Sequence, residues 1–244
     1  MGTATGIRAG TDMTTAEQEH SAPALELVVA RYREDLSWLR ELGLPACVYN
    51  KGPELDSGLL PLGVRATPLP NIGREAHTFL THVIERYEAL PAFTAFLQGD
   101  PFAHLAPPQE AKVTPLALRQ RLLDLAAKNQ PFAGLAWFRL RCDGLGRPHD
   151  LADPAKEGRW KGWGKDIPVA RVFEALFDAP APQEFIARAP TGNMLVRRDR
   201  ILARSRDFYR RALDMVLADA DDAENTGHAF ERLWQTVFSG AKPG

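Results

Sequence analysis

Two short segments of this sequence combine residue types and spacing that could do chemistry. Asn71-Ile72-Gly73-Arg74-Glu75 stands where a loop runs into a helix. The first N–H groups of a helix have no intrahelical partner and sit at the positive end of its dipole, so such a junction takes phosphate or carboxylate. Gly73 would admit an anion close to the backbone, and Arg74 would add a two-pronged phosphate contact. The same residues also suit plain capping, with Asn71 as the cap and Glu75 complementing the dipole. The second segment is Gln98-Gly99-Asp100, at the end of an apolar run. A carboxylate there lies on the rim where open α/β sheets bind ligands. Asp100 could hold a divalent cation together with His104, and Gln98 offers an amide, while an Asp-Pro turn accounts for the same residues without a ligand. A functional reading requires Asp100 and the 71–75 bend to face one pocket.

Other groups are weaker. The segment 158–165 sets Trp160, Trp163 and the cations Arg159, Lys161 and Lys165 among glycines, which suits either a lid over a ring-bearing phosphate ligand or an exposed loop. His77 and His82 fall on opposite flanks of an apolar stripe and read as boundary residues. His149, near Asp150 and Asp153, and His228 have no metal-ligand spacing. Arg197 and Arg198, at the end of a strand, could face a cleft.

These groups need elements to hold them. Leu25, Leu27, Val28 and Val29 predict a strand covered on both faces, and Leu36, Leu39 and Leu42 predict a helix over 35–42 that Gly43 stops. A second strand follows at 46–49, then a Gly- and Pro-punctuated loop at 51–70. Ala76, Phe79, Leu80, Val83, Ile84, Tyr87 and Leu90 recur with helical period over 73–90, and 93–97 is a third strand. Strand, helix, strand, helix, strand predicts an open, mostly parallel sheet flanked by helices. The second half is less regular: helices at 115–128, 169–177, 199–217 and 227–238, and strands at 135–140, 183–188 and 193–197. Residues 1–23 lack a hydrophobic period and read as a disordered leader, leaving one α/β domain over 24–240.

Composition narrows the function classes. The chain has 244 residues, 45% hydrophobic and 25% charged, with a formal net charge of −1. Such a chain lacks the basic field that draws nucleic acid, which is set aside as a main partner. Cys47 and Cys142 stand alone, without the spacing of a zinc or redox site, and suit a reducing compartment. No apolar run approaches the ~20 residues that cross a bilayer, and the N-terminus lacks the order of a secretion signal. A cytoplasmic location is expected.

Several ordered blocks then point to a family. Val29-x-x-Tyr32-x-Glu34-Asp35-x-x-Trp38-Leu39, Pro70-Asn71-x-Gly73-Arg74-Glu75 with Thr78-Phe79-Leu80, Phe96-x-Gln98-Gly99-Asp100, Val196-x-Arg198 with Phe208-Tyr209, and Glu231-Arg232-x-Trp234 resemble a bacterial and fungal family known only as a domain of unknown function, from Leu27 to Phe238. More distantly, Asn71-x-Gly73, the following helix and Phe96-Leu97-Gln98-Gly99-Asp100 resemble the core of nucleotide-sugar glycosyltransferases of the GT-A fold. That resemblance implies a Rossmann-like nucleotide-binding half, a nucleotide-sugar donor, an acceptor of unknown identity, and a divalent metal (Mn or Mg) on the diphosphate. Asp100 matches the second acid of that fold's Asp-x-Asp, and Gln98 stands in place of the first. Arg31, Glu34 and Asp35 would then lie near the base and ribose. Glu231 would lie on the acceptor side as a base, with Glu75 the other carboxylate in that role, and Arg74, Lys161 and Trp163 would meet the donor. A catalytically silent glycan- or nucleotide-binding module is the alternative.

Overall fold

The computed structural model describes residues 24–56, 58, 60–147 and 166–239. The expected leader, His149 and the 158–165 segment with Lys161 and Trp163 lie outside the described residues. Strand β1 (Leu25–Arg31) runs through the middle of the molecule and is buried on both faces: Leu27 and Val29 join one apolar core, Val28 and Ala30 the other. Helix α1 (Trp38–Leu42) is shorter than expected, because the Asp35 carboxylate takes the Ser37 N–H at 3.0 Å and its hydroxyl at 2.5 Å and so occupies 35–37 with a turn. Gly43, at φ 60°, ends it as expected. Strand β2 (Ala46–Asn50) pairs in parallel with β1.

The 51–70 loop is corrected, since it contains a further parallel strand, β3 (Val64–Pro68), against β2. Its residues are largely exposed, so an edge strand of this kind leaves no alternating pattern to read. Helix α2 (Arg74–Arg86) and strand β4 (Phe93–Gln98) follow as the periodicity requires, with β4 parallel to β1 on its other side.

After helix α3 (Pro115–Ala127), capped by the Thr114 side chain, the expected strand at 135–140 is displaced. The ladders form on either side of it, as β5 (Phe132–Gly134) and β6 (Leu140–Cys142), and 135–139 is the connection. Helix α4 (Val169–Phe177), β7 (Phe185–Ala187) and β8 (Met194–Arg197) come next. The single long helix expected at 199–217 is two, α5 (Arg198–Leu202) and α6 (Arg206–Ala218), because the Ser205 hydroxyl accepts the Phe208 N–H at 3.2 Å and starts a new helix. Helix α7 (Thr226–Val237) is the last element.

The main sheet has the order β3-β2-β1-β4-β8-β5, with β8 antiparallel to both neighbours; β6 and β7 form a separate ribbon. It is a mixed α/β architecture with a mostly parallel sheet flanked by helices. One face packs against α1 and α3 through Leu39, Leu42, Leu118 and Leu122. The other packs against α2, α4, α6 and α7 through Phe79, Phe173, Tyr209 and Trp234. Two expectations are corrected by this topology. Because β8 runs against β4, Arg197 lies opposite Phe93, at the start of β4 rather than its tip, and pairs there with Asp199. His77 and His82 are both buried rather than at a boundary, since α6 and α7 extend the cover over α2.

Candidate functional site

Successive parallel strands step one way from β1 to β2 to β3, and the chain then returns to place β4 on the opposite side of β1. The carboxyl ends of β1 and β4 therefore flank a topological switch point, the position at which open α/β sheets leave a crevice. Asn50, Gln98 and Arg31 end the three central strands there.

On the α2 side of these tips lies a polar cluster. The Gln98 side-chain amide donates to Glu75 Oε1 at 2.7 Å, its backbone N–H donates to Asn193 Oδ1 at 2.9 Å, and Asn193 Nδ2 donates to Thr191 Oγ1 at 3.1 Å. Glu75 is thus held in the first turn of α2 by the last residue of β4. Asn71 is exposed and does not cap the helix; the capping position is Gly73, without a side-chain bond. Gly73 has φ 59° and Arg74 φ 50°, and this left-handed bend turns the carbonyls of Ile72 and Arg74 onto the Lys51 ammonium, at 2.5 Å for Ile72. A Cβ on Gly73 would stand 2.0 Å from Val216 Cγ1, so the space that glycine leaves is filled by α6. Arg74 reaches Asp222 at 3.0 Å. The bend and the β4 tip are joined through Gln98, whereas the Asp100 carboxylate turns to the Phe102 N–H at 3.1 Å, the Asp-Pro turn; the shared pocket expected for Asp100 and the 71–75 bend is not what links them, and neither lines the cleft on the Arg31 side.

Lys51 was not singled out by its sequence position. It is 8% exposed, and burial pushes its ammonium down to about 8, partly opposed by the nearby Glu75 charge. Glu231, from α7, reaches the same cluster. Its side chain is 14% exposed, with Oε2 2.8 Å from the buried Arg232 guanidinium. Burial pushes the Glu231 carboxyl up to about 8; Arg232 opposes that, Glu75 adds to it, and Arg74 opposes it. Two carboxyl groups predicted from distant parts of the sequence are therefore close enough to feel each other's charge.

On the opposite side of the tips, Arg31, Glu34 and Asp35 line one cleft of about 800 Å³ with Arg33, Arg40 and Asp56. Arg31 is fixed at its edge by Asn50 Oδ1 at 2.7 Å and by the Pro53 and Glu34 carbonyls. Glu34 accepts the N–H groups of Tyr32 and Arg33 and lies over Gly99, where a Cβ would meet its Oε2 at 2.5 Å. Trp38 donates its indole N–H to the Gly99 carbonyl at 2.9 Å, so the β4 tip is tied to α1. His104 sits four residues beyond Asp100 with its ring 6.4 Å from that of Phe138. Among the described residues no three His, Cys, Asp or Glu side chains gather as a metal-binding group. Nor is any helix among them long and apolar enough to cross a membrane.

A comparison with protein-family models matches residues 27–243 to the family described as "Protein of unknown function (DUF3431)". No curated protein matches the chain.

Proposed function

Because the chain belongs to the DUF3431 family, whose description assigns no chemistry, we propose from the geometry a glycosyltransferase-like enzyme that moves a sugar from a nucleotide donor to an acceptor hydroxyl. One observation carries this reading: the switch point between β1 and β4 opens on the Arg31 cleft on one face and bears the Glu75–Glu231 carboxyl pair on the other. A donor lying across the tips has its nucleoside beside Arg31, Glu34 and Asp35, its diphosphate at the exposed Asp100, since Glu34 already covers Gly99, and its sugar toward the carboxyl pair. Glu231 is the base. Its carboxyl, pushed up to about 8, is matched to taking a proton from an acceptor hydroxyl near neutral pH. Glu75 is a positioning residue, because Gln98 already occupies one of its oxygens.

Metal coordination fits this site only as part of the donor. Magnesium and manganese on a diphosphate take one or two protein carboxylates and complete their shell with phosphate oxygens and water. Asp100 is exposed and supplies one such carboxylate, while Gln98 is committed to Glu75 and Asn193. A cation held there would neutralise charge on the departing diphosphate. Of the remaining expected donor contacts, Asn71 is exposed, whereas those from Gly73 and Arg74 require the bend to release partners it holds in Lys51, Val216 and Asp222.

A thermal-shift panel of sugar nucleotides, with and without Mn²⁺, tests the reading, since a ligand that binds the folded state raises its melting temperature. Stabilisation enhanced by the cation, lost in Asp100→Ala, and accompanied by transfer supports the enzyme; wild-type turnover in Asp100→Ala refutes the assignment of that residue. The locked Gln98 favours a second reading, a binding module without catalysis, for which stabilisation is independent of the cation and no sugar is transferred. Silence across the panel refutes both.

A further inference from the structure

The cleft beside Arg31 has an apolar floor and an acid-rich rim. Leu36 is buried in the core beneath it, and Leu55 and Leu60 pack against the same core. Its volume of about 800 Å³ falls within the ~300–1,000 Å³ of small-molecule sites. Five carboxylates line it against the guanidiniums of Arg31, Arg33 and Arg40, an excess of two acids. Such a lining repels phosphate and is rich in hydrogen-bond acceptors, so it suits the uncharged, donor-bearing end of a nucleotide.

The two walls of the cleft are fixed relative to each other. Arg31 donates to Asn50 Oδ1 at 2.7 Å and to the Pro53 carbonyl at 3.0 Å, and the Gly52 backbone lies so close to Tyr32 that an added Cβ would stand 1.7 Å from its carbonyl oxygen. The turn after β1 and the loop after β2 therefore keep one spacing. Among the carboxylates, Glu34 takes the Tyr32 and Arg33 N–H groups, Asp35 takes Ser37, and Asp56 takes the Gly58 N–H at 2.9 Å. Glu41 and Glu54 hold no partner among the described residues, and of these Glu54 stands exposed next to the anchored Pro53. On the other wall the Arg33 guanidinium lies over the Tyr32 ring, 4.8 Å from its centroid, which restrains it without neutralising its charge.

We propose that this cleft selects guanine as the base of the donor, with the Glu54 carboxylate taking N1–H and the N2 amino group and the Arg33 guanidinium donating to O6 and N7. Guanine alone among the common bases sets an N–H and an NH₂ side by side, the spacing that meets both oxygens of one carboxylate. It also carries two adjacent acceptors on its other edge, the pair that an arginine fork meets. Uracil would turn two carbonyls and a single N–H to an acid-rich wall. Adenine and cytosine set their amino donor beside a ring acceptor, which a carboxylate cannot satisfy. The base rests on Leu36, Leu55 and Leu60, and the diphosphate stays outside the acidic lining, at Asp100. This inference rests on the proposed sugar transfer and names its donor as a guanosine diphosphate sugar.

The test is calorimetric titration of the full chain, with Mn²⁺ present, by GDP, UDP, ADP and CDP and by two analogues of GDP: IDP, which lacks the N2 amino group, and 7-deaza-GDP, which lacks N7. GDP is expected to bind tightest and each analogue roughly tenfold more weakly, the order of one hydrogen bond to a charged group. Glu54→Ala should close the gap between GDP and IDP, and Arg33→Ala that between GDP and 7-deaza-GDP, with the melting temperature unchanged in both because the two side chains are exposed. Equal binding of GDP and either analogue by the wild-type chain, or a gap that survives in its variant, overturns the inference. Tighter binding of UDP, ADP or CDP than of GDP overturns it and leaves the donor reading standing; silence from every nucleotide ends both.

Discussion

Replacing Glu231 by Gln should make the protein more stable, by an amount set by pH. In the folded chain the Glu231 carboxyl is pushed from 4.5 up to about 8, because burial outweighs the attraction of Arg232. Below about pH 4.5 both folded and unfolded chains hold this proton, and Gln, a neutral mimic, changes little. Between 4.5 and about 8 the unfolded chain has released the proton while the folded chain still binds it, so wild-type stability falls as pH rises. Above about 8 both forms are ionised and the loss is complete. Each pH unit of that separation is worth ~1.4 kcal/mol, so the gain in Glu231→Gln should reach roughly 3–5 kcal/mol and then level off. Urea unfolding of both proteins from pH 4 to 9.5, with the slope against denaturant checked for equality, measures the difference directly. A difference that does not change with pH refutes the reasoning. So does the opposite trend, with Gln progressively worse as pH rises, since that would mean Arg232 wins over burial and holds Glu231 ionised. For the proposed transfer, with Glu231 as its base, kcat/KM should climb through about pH 8 as that carboxyl loses its proton.

Gly73→Ala should cost roughly 2–4 kcal/mol, because the residue sits at φ 59° and the new methyl would fall 2.0 Å from Val216 Cγ1. Melting curves of the single variant and of its combination with Val216→Ala separate the two causes: the second change should recover only the part due to the clash. Gln98→Asp removes the amide that donates to Glu75 and sets a second carboxylate against it, so stability should fall by about 1–3 kcal/mol at pH 7 and by less at pH 5. Equal losses at both pH values would show that shape rather than charge is responsible.

Local pattern was sufficient wherever an element buries one regular face. The doubly covered β1, the stripe of α2 from Ala76 to Val83, and the Pro115 and Val169 starts of α3 and α4 follow from apolar spacing and breaker residues that the chain carries within a few positions. Parallel order followed as well, because strands separated by helices return in the same direction. The site was legible only in pieces. Arg31, Glu75, Gln98 and Glu231 could be named by type and neighbourhood, but spacing along a chain does not say which atoms meet across 23 residues, as Glu75 and Gln98 do, or 148, as Arg74 and Asp222 do.

What only the tertiary structure decided is which way each group faces and what it meets. Lys51 carries no motif, and its importance arises from β2 ending beneath the α2 bend, where its ammonium takes the Ile72 and Arg74 carbonyls. Gly73 reads as room for an anion until α6 brings Val216 against it. Arg197 reads as a cleft residue until β8 is found to run against β4, which sends it to the other end of the sheet. Strand β3 has too little buried surface to leave a pattern, and the break before Ser205 depends on one hydroxyl choosing a helix cap over a helix interior. The sequence by itself thus determines the elements, since burial of a face imposes a period that neighbouring residues share. Direction, register and partnership come from packing between distant segments, where a single side chain such as Gln98 can join two ends of a site.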